Sequence, residues 1–361
     1  MSTLTTNYLA PTGREEAWRF TPLARVGGLL EPATEISGVA SIRISNPQSD
    51  VNFSIVGAKE LPAISQSDDL ATLRAREVIS EVTHIEIKAN AQLSEPLILE
   101  RSGLTGKPQA SRTLISCGVN SHATIILHNS GDAILTDEFE FDLAPGANLT
   151  FVSLQEWNGQ AVHLSRQHAI IGKDATFNSI VVTVGGSLVR LLPTVEFSGP
   201  GSSADLQGLY FATDGQHLEH RLHVDHNVPN AKSRVNYKGA LAGDKAHAVW
   251  IGDVYIRSNA DGTDTYELNR NLLLSDGARA DSVPNLEIET GEIVGAGHAS
   301  TTGRFDDEQL FYLSSRGIPA EIARRLVIRG FFAEIVGKIK NEEIENRLMD
   351  RIDAELAKVG A

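Results

Sequence analysis

A mainly β chain with helical ends, built around a β-solenoid core, is the fold class that this sequence predicts, and three observations predict it. From Val82 to Ile293 short β-rich runs are separated by Gly, Asn, Asp and Ser, with almost no helix-period stretch between them. The runs GVNSHATIIL, APGANLTFVSL, GKDATFNSIVV, GPGSSADLQGLYF, AGDKAHAVWI and SDGARADSVPNLEI each place a polar turn before a small residue and then an alternating strand. Their small residues, Ala123, Ala147, Ala175, Ala204, Ala246 and Ala278, recur at spacings of 24 to 42, as expected of coil corners where the backbone turns tightly. A unit of this length buries its inner face only against its neighbours, which is the physical requirement of a solenoid. A β-sandwich is the alternative, but it rarely runs this long and spaces its turns more closely.

The elements follow in order. Residues 1–81 are expected to form a capping region of helix and loop. EEAWRFTPLARV carries acidic residues early and apolar ones at Trp18, Leu23 and Val26, and Asp68 to Ser80 shows helical charge pairing. Residues 82–302 form the solenoid core, and residues 303–361 a helical tail. In the tail, Asp306 to Arg316 reads as a helix with acidic residues in its first turn and Gly317 as its stop, and Pro319 opens a second helix. There Ile322, Leu326, Arg329, Gly330, Ala333 and Val336 share one side, while Phe331, Phe332 and Ile335 widen the apolar surface. A last helix, Glu342 to Val359, spaces Ile344, Leu348, Ile352 and Leu356 by four. The tail's apolar stripe has two readings, docking onto the chain's own core or receiving a partner.

Composition narrows the function classes. The 361 residues are 41% hydrophobic, enough for a substantial core, and carry a formal net charge of −14, which argues against nucleic acid. The densest basic segment, Arg324 to Arg329, is too short to override that balance and suits a solvated helix face or acidic partner groups. No apolar run approaches the roughly 20 residues of a membrane span, and MSTLTTNYLAPTGREEAW lacks the pattern of a secretion signal, so a cytoplasmic location is expected. One cysteine, Cys117, excludes an internal disulfide and any cluster site built from this chain's thiolates alone. Its apolar context, TLISCGVN, suits a small buried hydrophobe.

Histidine offers the most chemistry. Four fall in HLEHRLHVDH; on a strand, His217 and His223 share one face and His220 and His226 the other, so they make two pairs and not one site. Structural histidines and a metal pair both fit. His298, in the Gly-rich stretch VGAGHASTTG, is read as an accessible loop residue able to act as a neutral nitrogen ligand. Neither that stretch nor VGGSLVR matches a phosphate-binding loop, and no nucleophile elbow, zinc-protease helix or CxxC pair occurs.

The run from Pro284 to Lys338 resembles the closing segment of the SufB/SufD family of iron-sulfur cluster assembly proteins. The resemblance rests on Leu286-Glu287-Ile288, His298, Gly303, Asp306-Asp307-Glu308, Phe311-Tyr312-Leu313, Ser315-Arg316-Gly317, Ala323-Arg324 and Gly330-Phe331. PTGREEAWRFTPL adds a weaker likeness to SufD-type N-termini, and His226, Ser233 and Tyr237-Lys238-Gly239 follow the order of a family segment. Family members of the SufB type carry a cysteine two residues before the histidine, where this chain has Ala296, so it is closer to the SufD side.

The resemblance implies a right-handed parallel β-helix, a SufB-like partner, and docking of the ABC ATPase SufC on the helical tail around Arg316, Gly317, Arg324, Gly330, Phe331 and Phe332. It implies that His298 contributes to a transient iron-sulfur cluster shared with SufB, and that reduced flavin associates with the whole complex, although no residue marks a flavin site. The expected function is a non-catalytic scaffold subunit. Two alternatives stand beside it: a β-helix enzyme acting on a polysaccharide, with carboxylates such as Asp253 and Asp264 lining a groove, and a homodimer delivering iron.

Overall fold

The computed structural model describes residues 9–32, 36, 38–102, 104, 106–305 and 307–358. Its strands are β1 (Gly38–Val39), β2 (Arg43–Ile44), β3 (Val51–Gly57), β4 (Glu81–Ile87), β5 (Leu97–Arg101), β6 (Pro108–Cys117), β7 (His122–Gly131), β8 (Ile134–Leu143), β9 (Asn148–Trp157), β10 (Val162–Ile171), β11 (Thr176–Val184), β12 (Leu188–Phe197), β13 (Ser203–Ala212), β14 (His217–His226), β15 (Lys232–Leu241), β16 (His247–Ile256), β17 (Asp264–Leu273), β18 (Arg279–Ile288) and β19 (Gly295–Arg304). Its helices are α1 (Leu70–Val78), α2 (Asp307–Ser315), α3 (Ala320–Val336) and α4 (Glu342–Lys358).

From β4 onward consecutive strands alternate between two parallel sheets, even-numbered strands in one and odd-numbered strands in the other. The chain is therefore a β-solenoid with two strands per coil. The register steps by 26 residues where Val162 meets Leu188 and by 32 where Lys232 meets Asp264, so the coils lengthen toward the C-terminus. Sequence separations of this size carry no hydrogen-bond signal of their own; the alternation within each ten-residue strand sets which side chains turn inward. Phe141 of β8 shows the result, its ring centroid lying 4.7 Å from Phe151 and 5.1 Å from Phe177, which come from β9 and β11 of the opposite sheet.

Coil corners are where the small residues matter. Ala147 and Ala175 directly precede β9 and β11, and Ala246 and Ala278 directly precede β16 and β18. Those four sit at corners as expected, on two different edges of the solenoid, whereas Ala123 and Ala204 lie one residue inside β7 and β13 as buried core. The turns also stack. Asn120 takes a left-handed φ of 54°, and a Cβ on Gly146 in the next coil would stand 2.3 Å from the Asn120 side-chain oxygen, so only glycine fits.

The first 81 residues differ from the helix-and-loop expectation. EEAWRFTPLARV forms two short 3-10 turns, Glu16–Trp18 and Leu23–Arg25, because Pro22 between them removes a donor and blocks a continuous helix. β1, β2 and β3 then extend the sheets, β2 and β3 pairing antiparallel with β5 and β4. α1 forms as expected, with Asp69 accepting from the Thr72 backbone N–H at its N-terminus.

At the other end VGAGHASTTG is not a loop: Gly295 to Arg304 is the last strand, held by its ladder to β17. The tail helices match the expected order, although Asp306 and Val359, expected helix-end residues, lie outside the described residues. Gly317, at φ +82°, stops α2 as expected, with the Ile318 N–H bonded back to the Leu313 carbonyl. Phe332, Ile335, Ile344, Leu348, Ile352 and Leu356 are buried on the outer face of the odd-numbered sheet against Val152, Leu154, Val182 and Phe211.

The core is polar in places, which sets an acid limit. His220 is fully buried, stacked at 5.0 Å on Tyr210 and hydrogen-bonded to Thr183, and burial pulls it down to about 3; burial likewise pulls His226 down to about 4. Unfolded histidine takes its proton near 6.5, so the native state binds fewer protons below that pH. Stability from these two groups is intact above pH 6.5 and falls by about 1.4 kcal/mol per pH unit for each as the solution is acidified toward their folded values. Melting temperature measured from pH 7.5 to 5 is expected to fall steadily below 6.5, and a flat profile contradicts their being held neutral.

Candidate functional site

β18 and β19 end their sheets, so among the described residues no further coil covers the solenoid at this end. Thr265, Glu267, Asn269 and Asn271 of β17 are buried side chains on its inner face. Ala296, His298, Ser300 and Thr302 of β19 stand opposite them in register, so the same alternation points them inward. Thr302 confirms the direction by accepting from Asn271 at 3.3 Å. His298 is nonetheless exposed, because among the described residues no further strand stacks on β19 to cover it.

Directly beneath His298 in the ladder is Glu267, a residue the sequence reading did not single out. It is buried, and neither carboxyl oxygen has a hydrogen-bond partner. Burial, and after it the charge of Asp253, push its carboxyl up to about 8, which favours the neutral form until a cation arrives. The oxygen Oε2 lies 2.7 Å from where a Cβ on Gly252 would be, so glycine there makes room for it. The buried Trp250 indole nitrogen also has no partner. The end of the solenoid thus combines an exposed imidazole with an unsatisfied carboxyl one strand below, chemistry suited to a cation supplied from outside. Among the described residues no group of three or more His, Cys, Asp or Glu side chains could hold a metal ion. Cys117 supplies no thiolate, since it is buried in the core and burial, then Asp142, push its thiol up to about 12.

The residues assigned to the tail divide into two sets. Phe332 is wholly buried against the chain's own sheet, which takes it out of any partner surface. Phe331 is half-buried, with the Lys238 ammonium 5.3 Å from its ring centroid and 3.0 Å from its carbonyl oxygen. Arg324 lies over Phe305 at 5.8 Å, and Arg316 over Tyr312 at 5.3 Å. Gly330 is exposed, and a Cβ there would touch nothing within 4 Å, so no contact among the described residues requires glycine at this position. Around these lie Phe311, Tyr312, Ile322 and Leu326, all exposed, with Phe311 76% accessible. Isolated exposed apolar residues are ordinary, but these four lie on two helices that pack against each other, α2 and α3, and are read together as a patch.

Other candidates are resolved by the geometry. His217 and His223 do face one side of β14 and His220 and His226 the other, but no pair forms within the strand: His223 packs at 5.1 Å against Tyr255, and His226 bonds to Ser233 at 2.9 Å. Asp253 and Asp264 lie in different sheets and do not share a groove; Asp264 is engaged by Arg234 at 2.7 Å, and Asp253 accepts from Asn285 at 2.6 Å.

Comparison with known proteins agrees with this architecture. Residues 99–331 match the family model described as SUF system FeS cluster assembly, SufBD core domain. An iron-sulfur cluster assembly SufBD family protein of Mycobacterium leprae is 48% identical over 355 residues, covering 96% of this chain and 90% of the relative. The iron-sulfur cluster assembly protein SufD of Escherichia coli is 27% identical over 379 residues, covering 96% of this chain and 89% of that protein. The chain belongs to the SufBD family of the SUF system for iron-sulfur cluster assembly.

Proposed function

We propose that this chain is a non-catalytic scaffold subunit of a SUF assembly complex, pairing with a SufB-like subunit at the open end of its solenoid and holding a SufC-like ABC ATPase on its helical tail. The observation that carries the reading is the uncovered last coil, where His298 stands exposed beside two unpaired sheet edges. An unpaired parallel edge is a template for another chain, and natural proteins leave one open where a partner covers it. A second copy could use the same edge when the chain is alone, which accounts for the homodimer reading without a separate site.

At that interface the iron-sulfur cluster is cargo. His298 supplies an imidazole nitrogen, Glu267 a carboxyl beneath it, and the SufB-like subunit the thiolate that this chain lacks. The patch of Phe311, Tyr312, Ile322 and Leu326 is the tail surface that meets the ATPase. Phe332, Ile335 and the α4 stripe tie that surface to the solenoid, so that a pull on the helices reaches the sheet directly.

Co-expression with SufB-like and SufC-like proteins, followed by purification through a tag on this chain, tests the assignment. Wild type is expected to recover both. Leu326→Asp is expected to lose at least ten-fold of the ATPase, keep the SufB-like subunit and melt within about 2 °C of wild type, since surface changes of this kind move stability by less than about 0.5 kcal/mol. Recovery of neither partner by wild type overturns the reading.

A further inference from the structure

A second constellation lies on the outer face of the even-numbered sheet, away from the open end. His217 opens β14, His247 opens β16 and Arg279 opens β18, in register on successive coils. The two imidazoles meet edge-on with centroids 4.8 Å apart, and their Nδ1 atoms are 3.1 Å from each other.

The far nitrogen of each ring is already engaged. His217 Nε2 lies 3.0 Å from Glu219 Oε2, an oxygen that also accepts the Thr21 hydroxyl at 2.8 Å, and Arg190 is 3.4 Å from the other oxygen. His247 Nε2 lies 2.7 Å from Asp281 Oδ2, and Arg279 donates to Asp281 Oδ1 at 3.0 Å. A carboxylate paired with arginine is ionised and only accepts, so both Nε2 atoms carry the ring hydrogen. Neutral rings then leave two bare Nδ1 atoms 3.1 Å apart with no hydrogen between them. Only a cation between them, a proton or a metal ion, removes that conflict.

Imidazoles held from behind by carboxylates, with the other nitrogen free, are how metal-binding histidines are oriented. Two nitrogen ligands of a tetrahedral ion at about 2.0–2.1 Å stand about 3.3 Å apart, close to the separation here. We propose that His217 and His247 ligate a divalent transition metal of the zinc or ferrous class through their Nδ1 atoms, with Glu219 and Asp281 as positioning residues. The remaining coordination positions are open to water or to an exogenous donor, and His247, 24% exposed at its side chain, gives the ion its path in. This site is independent of His298, which lies in the other sheet.

Titration of the chelator-treated full chain with Co²⁺, followed by visible absorption and calorimetry, tests the proposal. Wild type is expected to take up one equivalent with nitrogen-ligand d–d absorption. His247→Gln is expected to lose it at least 100-fold, and His298→Ala to keep it. Asp281→Asn, which leaves both ligands in place, is expected to weaken uptake 10–100-fold, an effect that a merely structural role for Asp281 does not produce. Should His247→Gln fail to fold, the Asp281→Asn comparison decides. No Co²⁺ uptake by folded wild type, meaning a shared proton only, or uptake unchanged in folded His247→Gln and in Asp281→Asn, overturns the site.

Discussion

Asp137→Asn is expected to destabilise the solenoid by about 3–5 kcal/mol, the cost of breaking a buried ion pair by removing one partner. Asp137 and Arg101 are both fully buried and bonded to each other in the interior. Burial alone would push the Asp137 carboxyl up, but Arg101, and then His163, override it and hold the group well below the usual carboxylate range. The arginine is otherwise held by the Asn129 oxygen at 3.1 Å and the Ser111 hydroxyl at 2.9 Å, neither of which carries charge. His163 accepts the Trp157 indole N–H at 3.2 Å and therefore turns its own N–H toward Asp137, also at 3.2 Å. Asparagine keeps the size and leaves an uncompensated guanidinium in the core. The paired change Arg101→Met with Asp137→Leu is expected to recover most of the loss, because it removes both charges together. Urea denaturation of wild type, Asp137→Asn and the double variant checks this, and Asp137→Asn within 1 kcal/mol of wild type contradicts a dry interior pair.

Much of this fold is legible in the sequence, for identifiable reasons. Turn residues such as Asn120 and Gly146 announce the coil ends because left-handed backbone restricts the choice of residue. Ile344, Leu348, Ile352 and Leu356 announce a docked helix because their period is helical, and they are buried. The last strand is hidden for the opposite reason. GAGHASTTGR has no β-branched apolar run, and the neighbouring ladder, not its own propensity, makes it a strand.

The site was only half legible. His298 is visible through its motif, while Glu267 becomes its neighbour through a register 31 residues away, set by the length of one coil. The same holds for His217 and His247, which are 30 residues apart and meet because each begins a strand. Within HLEHRLHVDH the alternation of faces is correct, yet the nearest imidazole comes from another coil. Local pattern fixes direction in a solenoid, and coil length fixes who meets whom.

The second large effect falls on the cargo. His298 is exposed and makes no contact on which the core depends, so His298→Ala is expected to leave folding and subunit recovery intact. On the proposed assignment it removes from the interface a nitrogen ligand that this chain cannot replace, since Cys117 is sealed in the interior and Ala296 has no donor. A ligand lost from a site that the partner completes lowers occupancy sharply, whereas a ligand lost from a redundant site does not.

The most direct measurement is iron and acid-labile sulfide bound to the anaerobically co-expressed complex, compared between wild type and His298→Ala at equal recovery of all subunits. The account predicts that iron and sulfide fall together by at least five-fold while the complex stays intact. Unchanged iron and sulfide in an intact His298→Ala complex would contradict the placement of the cargo at the open end of this solenoid.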